Sequence, residues 1–261
     1  MATHTTTRRV AAALLVAALI AGCGGGGSKT ATTNPAGASA PSTTAASGSA
    51  SGGSASTSAG GLYSVKEGNR WEYAVSIAGT TGTETFVMTK VTSGSGYTDV
   101  LFTVTTAYSI GKASTPTTAT STYRFNDDGT VVVPPQSASN AGIAITSQGT
   151  TGPEFPSFAD IVGGKSISGS YDATATGPGG PVTTHTEWTS TGRGKEDVTV
   201  PAGSFPGCAK LDSTVHLTGG GDSGIDGTFT TTQWFAKGFG LVRSSTEGGL
   251  ELQLTSTNVT H

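Results

Sequence analysis

The chain has 261 residues, only 12% of them charged, with 14 Lys and Arg against 17 Asp and Glu and a net charge of −3. No Lys/Arg cluster follows Arg8 and Arg9, so the basic footprint that nucleic-acid binding needs is missing. Two cysteines, Cys23 and Cys208, are too few for a zinc site built from cysteine pairs.

In chain order, the first feature is Arg8-Arg9 followed by an unbroken apolar run, Val10 to Ala21. A membrane-spanning helix needs about 20 apolar residues, so this run is too short to remain as an anchor. It has the length and flanks of a signal-peptide core. The run ends in Ile20-Ala21-Gly22-Cys23, which resembles the lipobox of bacterial lipoproteins. The resemblance implies cleavage between Gly22 and Cys23, a diacylglycerol on the Cys23 thiol, and a further acyl chain such as palmitate on its amine. More than one chain matters, because a single buried acyl chain binds a membrane only marginally. Thr7-Arg8-Arg9-Val10 also resembles a twin-arginine export signal, but Ala11 and Ala12 stand where bulkier residues are usual, so Sec export is expected. Gly24 follows the cysteine, so the aspartate that retains some lipoproteins at an inner membrane is absent. The expected location is the extracytoplasmic face of the cell membrane, with the lipid-anchored membrane as partner. Loss of Arg8 and Arg9 with the signal leaves 12 basic against 17 acidic residues, a net charge of −5. With Cys23 acylated, Cys208 is the one remaining thiol and no intrachain disulfide can form.

Residues 24–60 are Gly, Ser, Thr and Ala with two prolines, Lys29 and Asn34. No apolar side chain there exceeds alanine, so burial cannot offset the entropy of ordering. A flexible tether over 23–61 is expected, with a mean reach of about 30–35 Å.

From Leu62 the composition changes and aromatics appear; about 200 residues remain, enough for one domain with a sizeable core. Period two dominates. Trp71, Tyr73, Val75 and Ile77 alternate with polar or small residues, as do Val100, Phe102 and Val104. The same holds for Leu211, Val215 and Leu217, and for Leu250, Leu252 and Leu254. Half-buried antiparallel strands read this way. Turn signals separate them: Ser93-Gly94-Ser95-Gly96, Asn126-Asp127-Asp128-Gly129, Gly177-Pro178-Gly179-Gly180 and Gly219-Gly220-Gly221-Asp222. The expectation is an all-β domain over 62–261 of about ten antiparallel strands, half-barrel or barrel-like, without a convincing helix. Several strands carry apolar residues on both parities, as at Trp234-Phe235 and Leu241-Val242, which predicts burial on both sides and room for a cavity.

Two stretches carry a second resemblance. Tyr63-Ser64-Val65-Lys66-Glu67-Gly68-Asn69-Arg70-Trp71-Glu72-Tyr73 is one. The other is Val200-Pro201-Ala202-Gly203-Ser204-Phe205, followed by Trp234-Phe235-Ala236-Lys237-Gly238-Phe239-Gly240-Leu241-Val242. They resemble the opening and closing patterns of a broad, largely uncharacterised class of exported bacterial β domains. More distantly, the class looks like the half-barrels of lipoprotein and lipoglycan carriers, which hold acyl chains on a concave apolar face. The residues themselves support structural roles: a Pro201–Gly203 turn covered by Phe205, glycines permitting positive φ beside Phe239, and buried Trp71 and Trp234 whose N–H groups need partners.

Chemistry-bearing patterns are sparse. Gly221-Asp222-Ser223-Gly224 matches a serine-protease string, but only His185, His216 and His261 outlast the signal, and none has that family's Ala-Ala-His-Cys context. In a glycine-rich hairpin tip, Asp and Ser are ordinary turn residues. His185-Thr186-Glu187 lacks the two later cysteines a zinc deaminase requires. Cross-strand pairing can unite His185, Glu187 and His216 at a metal, but exposed strand polars are the expected reading. Asp222 and Asp226 match no standard calcium loop. Cys208 shares parity with Lys210 and Asp212, so it is expected opposite the Leu211 face and unreactive. No catalytic residue, metal or cofactor is assigned. The expected function is a non-enzymatic binding or assembly module of the envelope that holds an apolar small molecule or lipid. The alternative is a structural or adhesive surface protein without a cavity, and an enzyme comes third.

Overall fold

The computed structural model describes residues 61–77, 79–108, 116–134, 137–140, 143–148, 154–177, 180–219 and 225–260. Gly22 and Cys23, residues 24–60 of the tether, the Gly221–Gly224 string with Asp222, and His261 lie outside the described residues.

The described strands form one antiparallel sheet of 14. A meander opens it: β1 (Arg70–Ile77), β2 (Thr80–Ser93), β3 (Tyr97–Tyr108) and β4 (Thr117–Asn126). Short pieces follow: β5 (Val131–Val132), β6 (Ser137–Asn140), β7 (Ile143–Gln148) and β8 (Glu154–Phe155). A five-residue helix, α1 (Phe158–Val162), precedes β9 (Ser166–Gly177), β10 (Gly180–Val200) and β11 (Gly203–Gly219). The sheet is completed by β12 (Ile225–Ala236), β13 (Gly240–Thr246) and β14 (Leu250–Thr257). Across the sheet the order is β6-β7-β9-β10-β11-β12-β13-β14-β1-β2-β3-β4-β5-β8. The first strand therefore pairs with β2 on one side and with the last strand on the other.

The alternation seen in the sequence maps onto burial. Trp71, Tyr73, Val75 and Ile77 are buried on β1, and so are Val100, Phe102 and Val104 on β3. Leu250, Leu252 and Leu254 are buried on β14. Threonine fills many outward positions, where β-branching suits a strand and hydroxyls pair across strands, as in Thr105–Thr118 at 3.2 Å and Thr174–Thr183 at 2.9 Å. The four turn signals fall between β2 and β3, β4 and β5, β9 and β10, and β11 and β12. The doubled parity also holds where it was sharpest: Trp234, Phe235, Leu241 and Val242 are all buried.

The sheet curls back on itself. Register shifts interrupt β1–β14, β2–β3, β10–β11 and β12–β13, and bulges of this kind add twist and bend. As a result Phe155 on β8, at one edge of the sheet, brings its ring to 6.1 Å from Phe235 on β12. These strands stand eight places apart in the sheet order.

Helix α1 is the addition that sequence patterning does not contain. Five residues are too few to show a helical period, but the Ser157 hydroxyl accepts from the Asp160 amide at 3.2 Å and caps its start. Phe158 and Ile161 turn inward and join the core.

Candidate functional site

The curled sheet lines a mostly apolar cavity that opens to solvent. One wall is aromatic and comes from the meander: Trp71 and Tyr73 of β1, Phe86 of β2, Phe102 of β3, and Tyr123 and Phe125 of β4. The facing wall is made by Phe235 of β12, Leu241 of β13, and Leu250 and Leu252 of β14. The rings interlock edge to face, with centroids 5.5 Å apart for Tyr73–Phe86 and 5.2 Å for Phe102–Tyr123. Such pairing fixes ring orientation beyond what area burial alone does.

Two sequence motifs, far apart in the chain, build the end of this cavity together. Tyr63 forms a β-bridge with Phe239, and the Ser64 amide donates to the Gly238 carbonyl at 2.7 Å. The Trp71 indole N–H donates to the Phe239 carbonyl at 2.6 Å, and the Tyr73 hydroxyl donates to the Leu241 carbonyl at 2.8 Å. Gly240 has φ +93°, and a Cβ there would lie 2.1 Å from the Tyr63 ring. Only glycine meets both demands. Trp234 is buried as expected and lies beneath two cations, with Arg243 5.0 Å and Lys210 5.4 Å from its ring centre.

Among all these rings sits one carboxyl. Glu84 on β2 is 7% exposed and lines the cavity. Its neighbours in register are Tyr73 on β1 and Thr106 on β3. The Thr106 hydroxyl donates to Glu84 Oε1 at 3.0 Å, and Oε2 has no hydrogen-bond partner among the described residues. Burial pushes the carboxyl up to about 7, with the Thr106 hydrogen bond pulling the other way. Burial raises the Tyr73 and Tyr108 hydroxyls too, and the Glu84 charge adds to the effect. The Tyr108 ring is drawn in beside it because its partner in register is Gly82, where a Cβ would lie 2.8 Å from that ring. Among the described residues no Lys, Arg or His lines the cavity; its other polar lining comes chiefly from Gln233, Ser244 and Thr246 on the facing wall.

Sequence reasoning passed over Glu84. The signal was parity: Glu84 is in phase with Phe86 and Met88, so an inward face carries a carboxyl. The residues it did single out lie elsewhere. His185 and Glu187 are on the outer face of β10 and meet neighbours across four strands. Asp172 is 2.7 Å from His185 Nδ1, Glu187 is 3.7 Å from His216 Nδ1, and Asp226 is 3.1 Å from His216 Nε2. Pairing does unite His185, Glu187 and His216 in an exposed ladder of alternating charge. Among the described residues no group of three or more His, Cys, Asp or Glu is arranged to hold a metal ion. The hydrogen bond that His216 Nε2–H donates to the Asp226 carboxylate raises the His216 pKa. This interaction stabilises the fold below the unfolded histidine pKa and is lost as pH rises through the raised value. In a histidine NMR titration His216 is expected above the free-imidazole value of about 6.5, and Asp226→Asn is expected to move it back down. No movement would sink the ladder geometry.

Cys208 keeps the expected parity: it pairs with Glu196 and is in phase with Lys210, opposite Ala209 and Leu211, yet it is fully buried. Just before it β11 carries a bulge: Glu196 pairs with Cys208 but Val198 pairs with Phe205, so the strand has an extra residue. Gly207, at φ +66°, supplies the break, and alternation changes phase between Phe205 and Cys208. Burial pushes the thiol up to about 11, and its Sγ donates to the Phe205 carbonyl at 3.3 Å.

No helix among the described residues is long and apolar enough to cross a membrane. No protein-family model matches the chain, and no curated protein matches it. Two solved structures are similar. One is a Bacteroides fragilis protein provisionally described as exported and as having a YmcC-like fold, with 15% identity and a TM-score of 0.52. The other is a Parabacteroides distasonis protein provisionally described as a lipoprotein, with 13% identity and a TM-score of 0.54. Each likeness covers 76% of this chain and 98% of the other. At these identities what is shared is the fold: a single curled antiparallel sheet, spanning nearly the whole of both solved structures.

Proposed function

We propose that the chain is an envelope lipoprotein, anchored through acylated Cys23, whose β domain is a non-enzymatic module that binds an apolar small molecule or lipid. The observation that carries the reading is the aromatic cavity between the meander and β12–β14. Small-molecule sites are concave, mostly apolar and furnished with few polar groups, and this one has that make-up. The anchor rests on the Arg8-Arg9, apolar-run and Ala21-Gly22-Cys23 succession. A structural or adhesive role calls for an exposed apolar face. Among the described residues the only exposed large hydrophobic side chain is Val182, so the binding reading is favoured.

The test uses the full chain carrying Cys23→Ser, which has no acylation site. It is expected to leave the membrane fraction, to take up no labelled palmitate, and to bind the neutral hydrocarbon probe diphenylhexatriene saturably. Palmitate on that variant would refute the anchor. Absence of saturable probe fluorescence would refute the cavity as a binding site and return the structural role to first place.

A further inference from the structure

Building on the binding reading, we propose that the cavity's ligand is an amine-bearing amphiphile, its ammonium group held at Glu84 Oε2 and its apolar body laid along the aromatic wall. The first support is the placement of the carboxyl. Glu84 is 93% removed from solvent on the inner face of β2, where an apolar residue would fill the space at no electrostatic cost. One oxygen is held by Thr106, which fixes the side chain, while the other has no hydrogen-bond partner among the described residues, and the residue lines the cavity. A buried ionised carboxyl needs a partner, and none of the described residues lining the cavity is a cation.

The second support is the company it keeps. Tyr73, Phe86 and Tyr108 line the cavity around the carboxyl. The negative faces of aromatic rings attract ammonium groups, and the attraction strengthens when the site is desolvated. Charge and quadrupole therefore select the same head group. A carboxylate or phosphate head at this point would face Glu84 with no cation to neutralise it. A primary, secondary or tertiary amine also offers an N–H to Oε2, giving a charge-assisted hydrogen bond. The tail then lies along Phe102, Phe125 and the Leu250–Leu252 side, where the lining carries no charge.

The experiment is displacement of diphenylhexatriene from the full chain carrying Cys23→Ser, using octylamine, 1-octanol and octanoate at pH 8. These share one tail and differ in head. Octylamine is expected to displace the probe at about one tenth of the 1-octanol concentration, within what one hydrogen bond to a charged group supplies, with octanoate weakest. Glu84→Gln is expected to bring amine and alcohol within about twofold while the probe still binds. Equal displacement by all three heads in the Glu84 protein overturns the head-group assignment and leaves the apolar cavity standing. An amine preference that survives in Glu84→Gln also overturns it. Failure of the probe itself to bind overturns the cavity reading instead. The three-head comparison in the Glu84 protein needs no folded variant, so a misfolded Glu84→Gln protein does not shelter the proposal.

Discussion

Replacing Trp71 by alanine is expected to cost about 3–5 kcal/mol, the range for removing a large aromatic from a core. Trp71 is fully buried on β1, the strand that joins the meander to the last strand of the chain. Its ring stands 5.6 Å from Tyr63 and 6.2 Å from Phe102, and its N–H reaches across to the Phe239 carbonyl. One side chain therefore ties together the segment before β1, the meander and the turn between β12 and β13. Native domains are stable by only about 5–15 kcal/mol, so the alanine variant would be near the limit of folding. Trp71→Phe separates the two contributions. It keeps most of the packing and removes the donor, and is expected to cost about 1–3 kcal/mol beyond the small change in volume. Urea midpoints at unchanged m-value measure both. A loss below about 1 kcal/mol for the alanine variant would show that this residue does not hold the sheet closed.

What the sequence discloses here, and what it hides, follows from the range of the interactions. Alternation is a property of one strand, so the buried sides of β1, β3 and β14 are legible from Trp71, Val100 and Leu250 onward. Turn glycines are local in the same sense, and Gly238 and Gly240 have the positive φ that their position beside Phe239 suggested. The pairing of β1 with β14 is not local, and no residue in either strand announces it. Nor does periodicity survive a bulge, since Gly207 reverses the phase between Phe205 and Cys208; and parity does not decide burial, since Cys208, out of phase with Leu211, is fully buried all the same. The two-residue strands β5 and β8 are shorter than any pattern can show. Glu84 is the instructive omission. A glutamate among threonines looks like ordinary outer-face polarity until its phase is compared with Phe86 and Met88, and its meaning appears only when a second wall closes over it.

That closure makes Glu84 the main pH-sensitive element of the cavity, and the sign of its effect on stability is the reverse of the usual carboxylate. An exposed carboxyl in a salt bridge is more acidic when folded, so it stabilises at high pH. Glu84 is less acidic when folded, rising from an ordinary 4.5 to about 7 because burial disfavours its charge. Between those values the folded chain holds a proton that the unfolded chain has released, so stability falls as pH rises through the window and levels off above it. At 1.36 kcal/mol per unit of pKa, the decline amounts to about 3 kcal/mol. The groups facing the carboxyl are Tyr73, Tyr108 and Tyr123, whose hydroxyls stay protonated across this range, and among the described residues no cation lines the cavity to offset the charge. Glu84→Gln cannot ionise, so its stability relative to the Glu84 protein is expected to improve by about 3 kcal/mol between pH 4.5 and pH 8. The measurement is a pair of urea titrations at each pH, taken without added amine. Comparing differences between two pH values removes any constant effect of the amide on packing. A difference that stays flat across the window would mean that Glu84 is solvated in the folded chain and that the cavity is wetter at this point than its lining implies.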